Sequence, residues 1–300
     1  MKVLVTGGAG FFGSHVCEAL LSGRQDVISY DNYSTGRNLL QSIRYVKGDI
    51  LDQSKLDRTL RKVDAVIHLA ARLGTPELFS TVAEATAINI VGTVRVLEAC
   101  KKSRVKKIVF ASKPNPPEWL NPYTVTKKAC EDYCGLYYEE FGLPVTILAY
   151  LNMYGPRQRS HPVQKFMPTF IEHALQNKPL PIWGSGKQTV DAVFVKDAAE
   201  ATVASLRREE AIGKVMDIGT GVATKVIDVA RLVISMCNSK STVEFKPMRR
   251  GEPPSYRLVG DISKAEKIIG WRARTALQQG LRLTIPFYVE QKKRTGQSPH

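Results

Sequence analysis

The run Tyr123-Thr124-Val125-Thr126-Lys127 places a phenol and an ammonium four residues apart. At that spacing the two stand one turn apart on the same face of a helix. A phenol with an ordinary pKa of about 10 is a poor base at neutral pH, and a neighbouring positive charge favours its ionised form. Such a pair can remove a proton from a hydroxyl group. An amphipathic helix with a chance tyrosine and lysine has the same spacing, so the pair acquires meaning only from what precedes it.

What precedes it is Gly8-Ala9-Gly10-Phe11-Phe12-Gly13, a GxGxxG run directly after a short apolar strand, Lys2–Thr6, and at the mouth of a helix, Phe12–Ser22. Glycines at these places permit a tight turn and let backbone amides approach a pyrophosphate at a helix N-terminus. Asp31 closes the next predicted strand, Asp26–Asp31. A carboxylate there hydrogen-bonds an adenosine ribose and repels a 2′-phosphate, so the expected cofactor is NAD rather than NADP. Behind a dinucleotide-binding half, Tyr123 and Lys127 read as catalytic.

The elements that must position these residues alternate. Ile43–Lys47, Ala65–Leu69 and Lys106–Ala111 read as further strands, and Ser54–Leu60 and Val82–Lys101 as helical stretches. Apolar strands separated by helices predict an α/β fold, a Rossmann-type doubly wound parallel sheet. After residue 155 the chain is punctuated by Gly155-Pro156-Arg157, Lys178-Pro179-Leu180-Pro181 and Gly184-Ser185-Gly186, with helical periods at Val163–Gln176, Asp197–Arg207, Val226–Cys237 and Leu277–Gln291. This predicts a dinucleotide-binding domain over 1–155 and a smaller, interleaved C-terminal α/β lobe over 156–300. A strand near 189–195, Asp191–Val195, is expected to return to the main sheet, and the polar end, Lys292–His300, to be frayed.

Composition narrows the function classes. With 300 residues, 43% hydrophobic and 24% charged, the chain is neither disordered nor fibrous. No apolar run approaches the ~18 residues of a membrane span. The apolar run at the N-terminus is too short for a signal peptide, so the expected location is the cytoplasm and no membrane partner is expected. Forty-three Lys+Arg against 28 Asp+Glu give a net charge of +15, which suits nucleic acid, an anionic surface or anionic small molecules. The basic residues are spread out, and the one dense cluster, Lys101, Lys102, Arg104, Lys106 and Lys107, has no interleaved aromatics to stack on bases, so nucleic acid is not expected. Five cysteines without CxxC spacing read as reduced and structural. The five histidines form no HExxH pattern, so no metal is expected.

Together with Asp31-Asn32-Tyr33-Ser34-Thr35-Gly36, Gly48-Asp49-Ile50, His68-Leu69-Ala70-Ala71 and Asn89-Ile90-Val91-Gly92-Thr93, the motifs resemble the extended short-chain dehydrogenase/reductase family, and within it the nucleotide-sugar epimerases and dehydratases. The resemblance runs from residue 1 to about 290. It implies cofactor contacts from Gly7, Gly10, Phe11, Phe12, Gly13, Asp31, Asn32, Ser34, Thr35 and Gly36. Asp49 and Ile50 would border the adenine, and Leu69, Ala70 and Ala71 would line the cofactor. Tyr123 would be the base, Lys127 its electrostatic partner and nicotinamide-ribose ligand, and Ser112 the hydroxyl relay. Asn152, in Asn152-Met153-Tyr154-Gly155-Pro156-Arg157, would contact the nucleotide sugar. The run Pro181–Thr189 would pass the base. In Arg249-Arg250-Gly251-Glu252 the arginine would fork onto the diphosphate and Glu252 hold a ribose. The resemblance further implies a homodimer through the Val82–Lys101 and Tyr123–Phe141 helices.

Departures from the family pattern bear on the reaction. After the fifth strand the family has a Ser/Thr-rich segment ending Val-Tyr-Gly; here Ala111-Ser112-Lys113-Pro114-Asn115-Pro116-Pro117 shortens the path to Tyr123. Lys113 falls where the Ser/Thr is expected, with Ser112 beside it. The Asp-Glu pair of the dehydratases and the Glu of the decarboxylases are both missing. Without that extra acid a β-hydroxyl has no proton donor for its departure, whereas inversion at C4 through a transient 4-keto sugar needs none. The expected reaction is therefore C4 epimerisation, with a UDP-sugar as the favoured substrate. A dehydratase, decarboxylase or reductase on the same scaffold stays open, as does an NAD- or nucleotide-sugar-binding protein without catalysis. Val190 and Ala149 stand where arginines are expected, so phosphate binding would rest on Arg249, Arg157 or Lys187.

Overall fold

The structure is a computed structural model that describes residues 1–295 except Pro117 and Pro254, with Thr295 described by its backbone alone. The predicted end Lys292–His300 falls partly outside the described residues, and its first four residues continue a helix. In the first half the order is β1 Lys2–Thr6, α1 Phe11–Ser22, β2 Asp26–Asp31, β3 Arg44–Lys47, α2 Gln53–Leu60, β4 Ala65–His68, α3 Val82–Thr86, α4 Gly92–Ser103, β5 Lys107–Ser112, α5 Pro122–Phe141 and β6 Val145–Tyr150. There follow β7 Asn152–Tyr154, α6 Phe166–Leu175, β8 Leu180–Trp183, β9 Thr189–Val190, β10 Ala192–Phe194, α7 Val195–Ser205, β11 Val215–Ile218, β12 Thr224–Lys225, α8 Val226–Met236, β13 Val243–Lys246, α9 Ser263–Ile269 and α10 Leu277–Thr295.

Among the described residues seven strands form one sheet in the order β11-β6-β5-β4-β1-β2-β3, and every neighbouring pair is parallel. Alternate residues of each strand feed opposite faces, which is why the strands are apolar throughout. Val3, Val5, Ile67 and Val109 join a core with α1 and α7, while Leu4, Val66, Ile108 and Phe110 join another with α2, α4 and α5. A further core gathers Tyr154, Phe170, Ile182, Val229, Val233 and Leu281 from β7, α6, β8, α8 and α10. Parallel strands require crossovers, and the helices that supply them leave the glycine loop and the N-terminus of α5 at the carboxyl ends of the strands.

One expectation is corrected. The strand predicted over Asp191–Val195 forms as β10, but it pairs with β7 and not with the main sheet. β6 passes into β7 through Leu151 alone, so β10 follows β7 out of the sheet. The Asp191 carboxylate holds it there, accepting from the amides of Thr220 at 2.7 Å and Gly221 at 2.9 Å. The edge of β6 is taken instead by β11, with Val215 opposite Ile147. The stretch Val82–Lys101 is helical as expected, with a π-turn at Ala87–Val91 between α3 and α4.

Candidate active site

The chain leaves β1 through Gly7, whose φ of 71° lies in the left-handed region that side chains disfavour. At Gly13 a Cβ would stand 2.0 Å from the Gly7 carbonyl oxygen, so only glycine lets the loop fold onto the first turn of α1. Gly10 caps that helix and has no side chain to offer, and the amides of Phe11, Phe12 and Gly13 have no partner among the described residues. A helix start with free amides and the positive end of the dipole is suited to phosphate. The Asp31 carboxylate stands beside the loop, accepting from Ala9 N at 3.0 Å and Tyr33 N at 2.7 Å. Burial raises its pKa and those two bonds oppose the rise. Asn32 Nδ2 donates to Asp49 Oδ2 at 3.0 Å, which draws the segment after β3 toward the end of β2, with Ile50 buried behind it. Gly36 packs against Ala9 and Gly10, while Ser34 and Thr35 are exposed. On the other side the Leu69 and Ala70 amides each donate to Thr6 Oγ1 at 3.2 Å, and Ala71 follows half-buried.

Asn121 caps α5, accepting from Thr124 N at 3.0 Å, and Pro122 opens it. Lys127, one turn beyond Tyr123, is 4% exposed. Its ammonium donates to Ala111 O at 2.6 Å and lies 4.6 Å from the Phe110 ring centre. Burial lowers its pKa from the ordinary value. Tyr123 is half-buried, its hydroxyl has no partner among the described residues, and burial pushes its phenol up. Ionising it therefore depends on positive charge brought close to the oxygen. Ser112 donates to Glu131 Oε1 at 2.5 Å, which commits its proton to α5. Lys113 reaches across instead, donating to Pro114 O at 2.7 Å, Asn115 Oδ1 at 3.2 Å and Thr124 Oγ1 at 3.2 Å. Burial pulls its pKa down to about 8, with Glu131 opposing and Lys127 adding to the fall.

Contacts from the later part of the chain reach the segment just before α5. Asn121 Nδ2 donates to Gly251 O at 3.0 Å, and the Trp119 ring meets Tyr256 edge-on with centres 5.0 Å apart. Thr189 N donates to Tyr256 O at 3.0 Å. Arg249 pairs with Glu252, donates to Gln164 O at 3.2 Å and lies 5.1 Å from the Trp183 ring centre. Along these segments Asn115 Nδ2, Trp119 Nε1, Asn152 Oδ1, Gln188 Oε1, Thr189 Oγ1 and Arg249 Nε are buried without a partner among the described residues. Buried polar groups are ordinarily hydrogen-bonded, so these are donors and acceptors that a ligand with many oxygens can satisfy.

The profile of the NAD-dependent epimerase/dehydratase family matches residues 3–219. The chain belongs to that family. It is similar to a Bacillus subtilis protein named as an uncharacterized UDP-glucose epimerase, 33% identical over 96% of this chain and 98% of that one. A UDP-N-acetyl-alpha-D-glucosaminuronate decarboxylase of Bacillus cytotoxicus is 32% identical over 96% of this chain and 98% of its own. Among solved structures, the UDP-glucose 4-epimerase of Thermotoga maritima with UDP-glucose superposes with a TM-score of 0.91 at 30% identity, covering 97% of this chain and 99% of that one.

The protein is thus an NAD-dependent enzyme of the nucleotide-sugar epimerase/dehydratase kind. The glycine loop, the uncapped start of α1 and the carboxylate of Asp31 fit a dinucleotide. The expected residues of the glycine loop, Asp31 and the start of α5 lie at the carboxyl ends of the sheet strands, and Asn121 ties the segment that bears Arg249 and Glu252 to the start of α5 through Gly251 O. Arg157 is not among them: its guanidinium forks onto Glu18 at 2.9 and 2.6 Å, far along α1 from the loop. Lys187 is exposed, Val190 fills the core near α8, and Ala149 sits opposite Ser112 in the sheet. Sequence reasoning missed Glu77 and Lys165. Glu77 accepts from Gln164 N at 3.0 Å and Thr75 N at 2.9 Å, and despite burial these bonds keep its carboxyl below the usual range. Lys165 lies close enough to Arg249 and the two glutamates to feel their charges. Nothing in their local sequence marks them, because they meet only through long-range folding. Among the described residues no helix is long and apolar enough to cross a membrane, and no His/Cys/Asp/Glu group would hold a metal ion.

Proposed function

We propose that this enzyme inverts C4 of a nucleotide sugar, with a UDP-sugar as the favoured class, through a transient 4-keto intermediate. The observation that carries this is the make-up of the site: Tyr123 and Lys127 lie one turn apart, and the loop Lys113-Pro114-Asn115-Pro116 beside them offers no carboxylate. Proton removal from a hydroxyl is provided for, and no carboxyl in that loop stands ready to protonate a departing hydroxyl. UDP-glucose epimerase names among the relatives support the same reading.

Tyr123 takes the proton of the 4-hydroxyl and returns it after the ketosugar has turned over. Lys127, buried against Ala111 O, stabilises the phenolate and donates to the nicotinamide ribose. Bound NAD supplies the hydride acceptance and return that inversion at a carbon requires. The amides of Phe11, Phe12 and Gly13 receive the pyrophosphate, and Asp31 the adenosine ribose. Arg249 turns from Glu252 onto the diphosphate and frees Glu252 for a ribose hydroxyl, while Asn152 Oδ1 accepts from the sugar. Residues 1–155 serve mainly the cofactor and 156–300 mainly the sugar. A second copy of the chain is the partner for α3, the π-turn after it, α4 and α5, a surface that exposes the apolar side chains Val82, Val91, Val125, Tyr133, Leu136 and Phe141.

The test is incubation with NAD and a panel of UDP- and other nucleotide-sugars, followed by NMR at C4. Inversion without accumulating NADH is expected, and Tyr123→Phe is expected to lower its rate by roughly 100- to 10,000-fold. A dehydrated or decarboxylated product overturns the reaction; NAD binding with every sugar returned unchanged overturns catalysis itself.

A further inference from the structure

We propose that the loop after β5 seats a carboxylate carried on the sugar, so that the substrate of this enzyme is an acidic nucleotide sugar and not a neutral one. The proposal rests on the epimerase reading above and names the substrate class of that same site. It starts from the partners of Lys113. Its ammonium donates to Pro114 O at 2.7 Å, Asn115 Oδ1 at 3.2 Å and Thr124 Oγ1 at 3.2 Å, and all three acceptors are neutral. The carboxylate whose charge it feels, Glu131, is taken up by the Ser112 hydroxyl at 2.5 Å. A largely buried cation with neutral acceptors alone is under-compensated, because removing a charge from water is costly unless an opposite charge meets it.

The rest of the loop adds donors and no free acceptor. Lys113 has no lone pair to offer, so the Asn115 amide turns its oxygen to the ammonium and its Nδ2 elsewhere. That Nδ2 is buried without a partner among the described residues, and so is Trp119 Nε1. Trp119 N donates to Pro116 O at 3.0 Å, which folds the loop back and keeps the indole ring centre 5.4 Å from the Lys113 ammonium. One cation and two unpartnered N–H donors suit a group that is acceptor-only and negative, which a carboxylate is and a sugar hydroxyl is not. The place of the loop assigns that group to the sugar. At one end Lys113 holds Thr124 in the first turn of α5, which also bears Tyr123. At the other the Trp119 ring meets Tyr256 edge-on, in the segment that follows Arg249 and Glu252. The loop thus runs from the helix turn proposed to act on the sugar to the segment proposed to hold the diphosphate. The acid is recognised and not transformed: inversion at C4 breaks no bond to it.

The experiment is calorimetric titration of the NAD-loaded protein with UDP-glucuronate against UDP-glucose, UDP-N-acetylmuramate against UDP-N-acetylglucosamine, and UDP alone. One of the two acids is expected to bind roughly 10- to 100-fold more tightly than its neutral parent, and which one it is places the carboxylate on C5 or on C3. Lys113→Met is expected to bring acid and parent within about threefold of each other. Asn115→Asp, nearly the same shape, gives the ammonium a carboxylate of its own and is expected to abolish the preference as well; it carries the test if Lys113→Met does not fold. Acids that bind within twofold of their parents, or a preference that survives both substitutions, overturn the proposal, and inversion of a neutral sugar at C4 then leaves the epimerase reading intact. If Lys113→Met weakens UDP as much as it weakens the acid, the ammonium serves the diphosphate and the proposal falls. If an acid is preferred through Lys113 yet returns unchanged at C4, the reaction reading fails and the carboxylate seat stands.

Discussion

Asp31 does two things with one carboxylate. It closes the glycine loop by accepting from Ala9 and Tyr33, and it keeps lone pairs for a ribose. Replacing Asp31 by Asn exchanges an acceptor for a donor facing backbone N–H groups. A hydrogen bond to a charged group contributes about 1.5–3 kcal/mol, so Asp31→Asn is expected to weaken NAD binding roughly 10- to 100-fold. Calorimetric titration with NAD and NADP checks this: the preference for NAD over NADP should narrow because the charge that repels a 2′-phosphate is gone. An unchanged ratio of the two affinities would remove Asp31 from the discrimination. Asp31 was legible because its distance from a glycine fingerprint carries meaning. Lys113 was legible only as a departure, since which acceptors its four-carbon stem reaches depends on how a proline-rich loop folds against α5.

The elements around the dyad are tied together by one side chain in the π-turn. Asn89 accepts from Arg72 N at 2.7 Å, and its amide donates to Arg72 O at 3.1 Å and to Thr126 Oγ1 at 3.0 Å. The loop after β4, which runs past the cofactor side, is thereby registered against the helix that carries Tyr123 and Lys127. An inserted π-turn aims a side chain that a continuous helix would direct elsewhere. Asn89 is 2% exposed, so removing its amide leaves buried groups unpaired at about 1–3 kcal/mol each. Asn89→Leu is expected to lower the thermal midpoint by several degrees and to lower kcat more than NAD affinity, because α5 shifts while the glycine loop does not. Equal losses in both would show a general loosening instead. The strands and crossover helices of the first half were readable because apolar runs and glycine loops are local signals. The π-turn was not, since an i to i+5 hydrogen bond leaves the apolar spacing of Val82–Lys101 almost intact. Nor was the pairing of β10 with β7, which is decided by the buried Asp191 reaching Thr220 and Gly221 far along the chain.

Across the whole molecule the early and late parts of the chain are joined by Arg157, whose guanidinium forks onto Glu18 of α1 while His15 Nδ1 lies 2.6 Å from it. Burial alone would raise the Glu18 pKa, but hydrogen bonds from His15 and Arg157 and their charges hold it down at about 2, against an ordinary 4.5. A carboxyl whose pKa is lower folded than unfolded binds fewer protons in the native state, so it stabilises the fold above the unfolded value. That contribution is complete above pH 4.5 and is lost as the pH falls toward about 2. The Glu18 side chain is 41% exposed, which screens the pair and keeps its contribution near the surface range of about 1 kcal/mol or less. Glu18→Gln is therefore expected to lower the thermal midpoint by a few degrees at neutral pH. The gap to the wild type should close progressively between pH 4.5 and 2 and should also shrink in high salt. Parallel curves for the two proteins across that acid range would mean that the fork joins the two parts by shape alone and its charge contributes nothing.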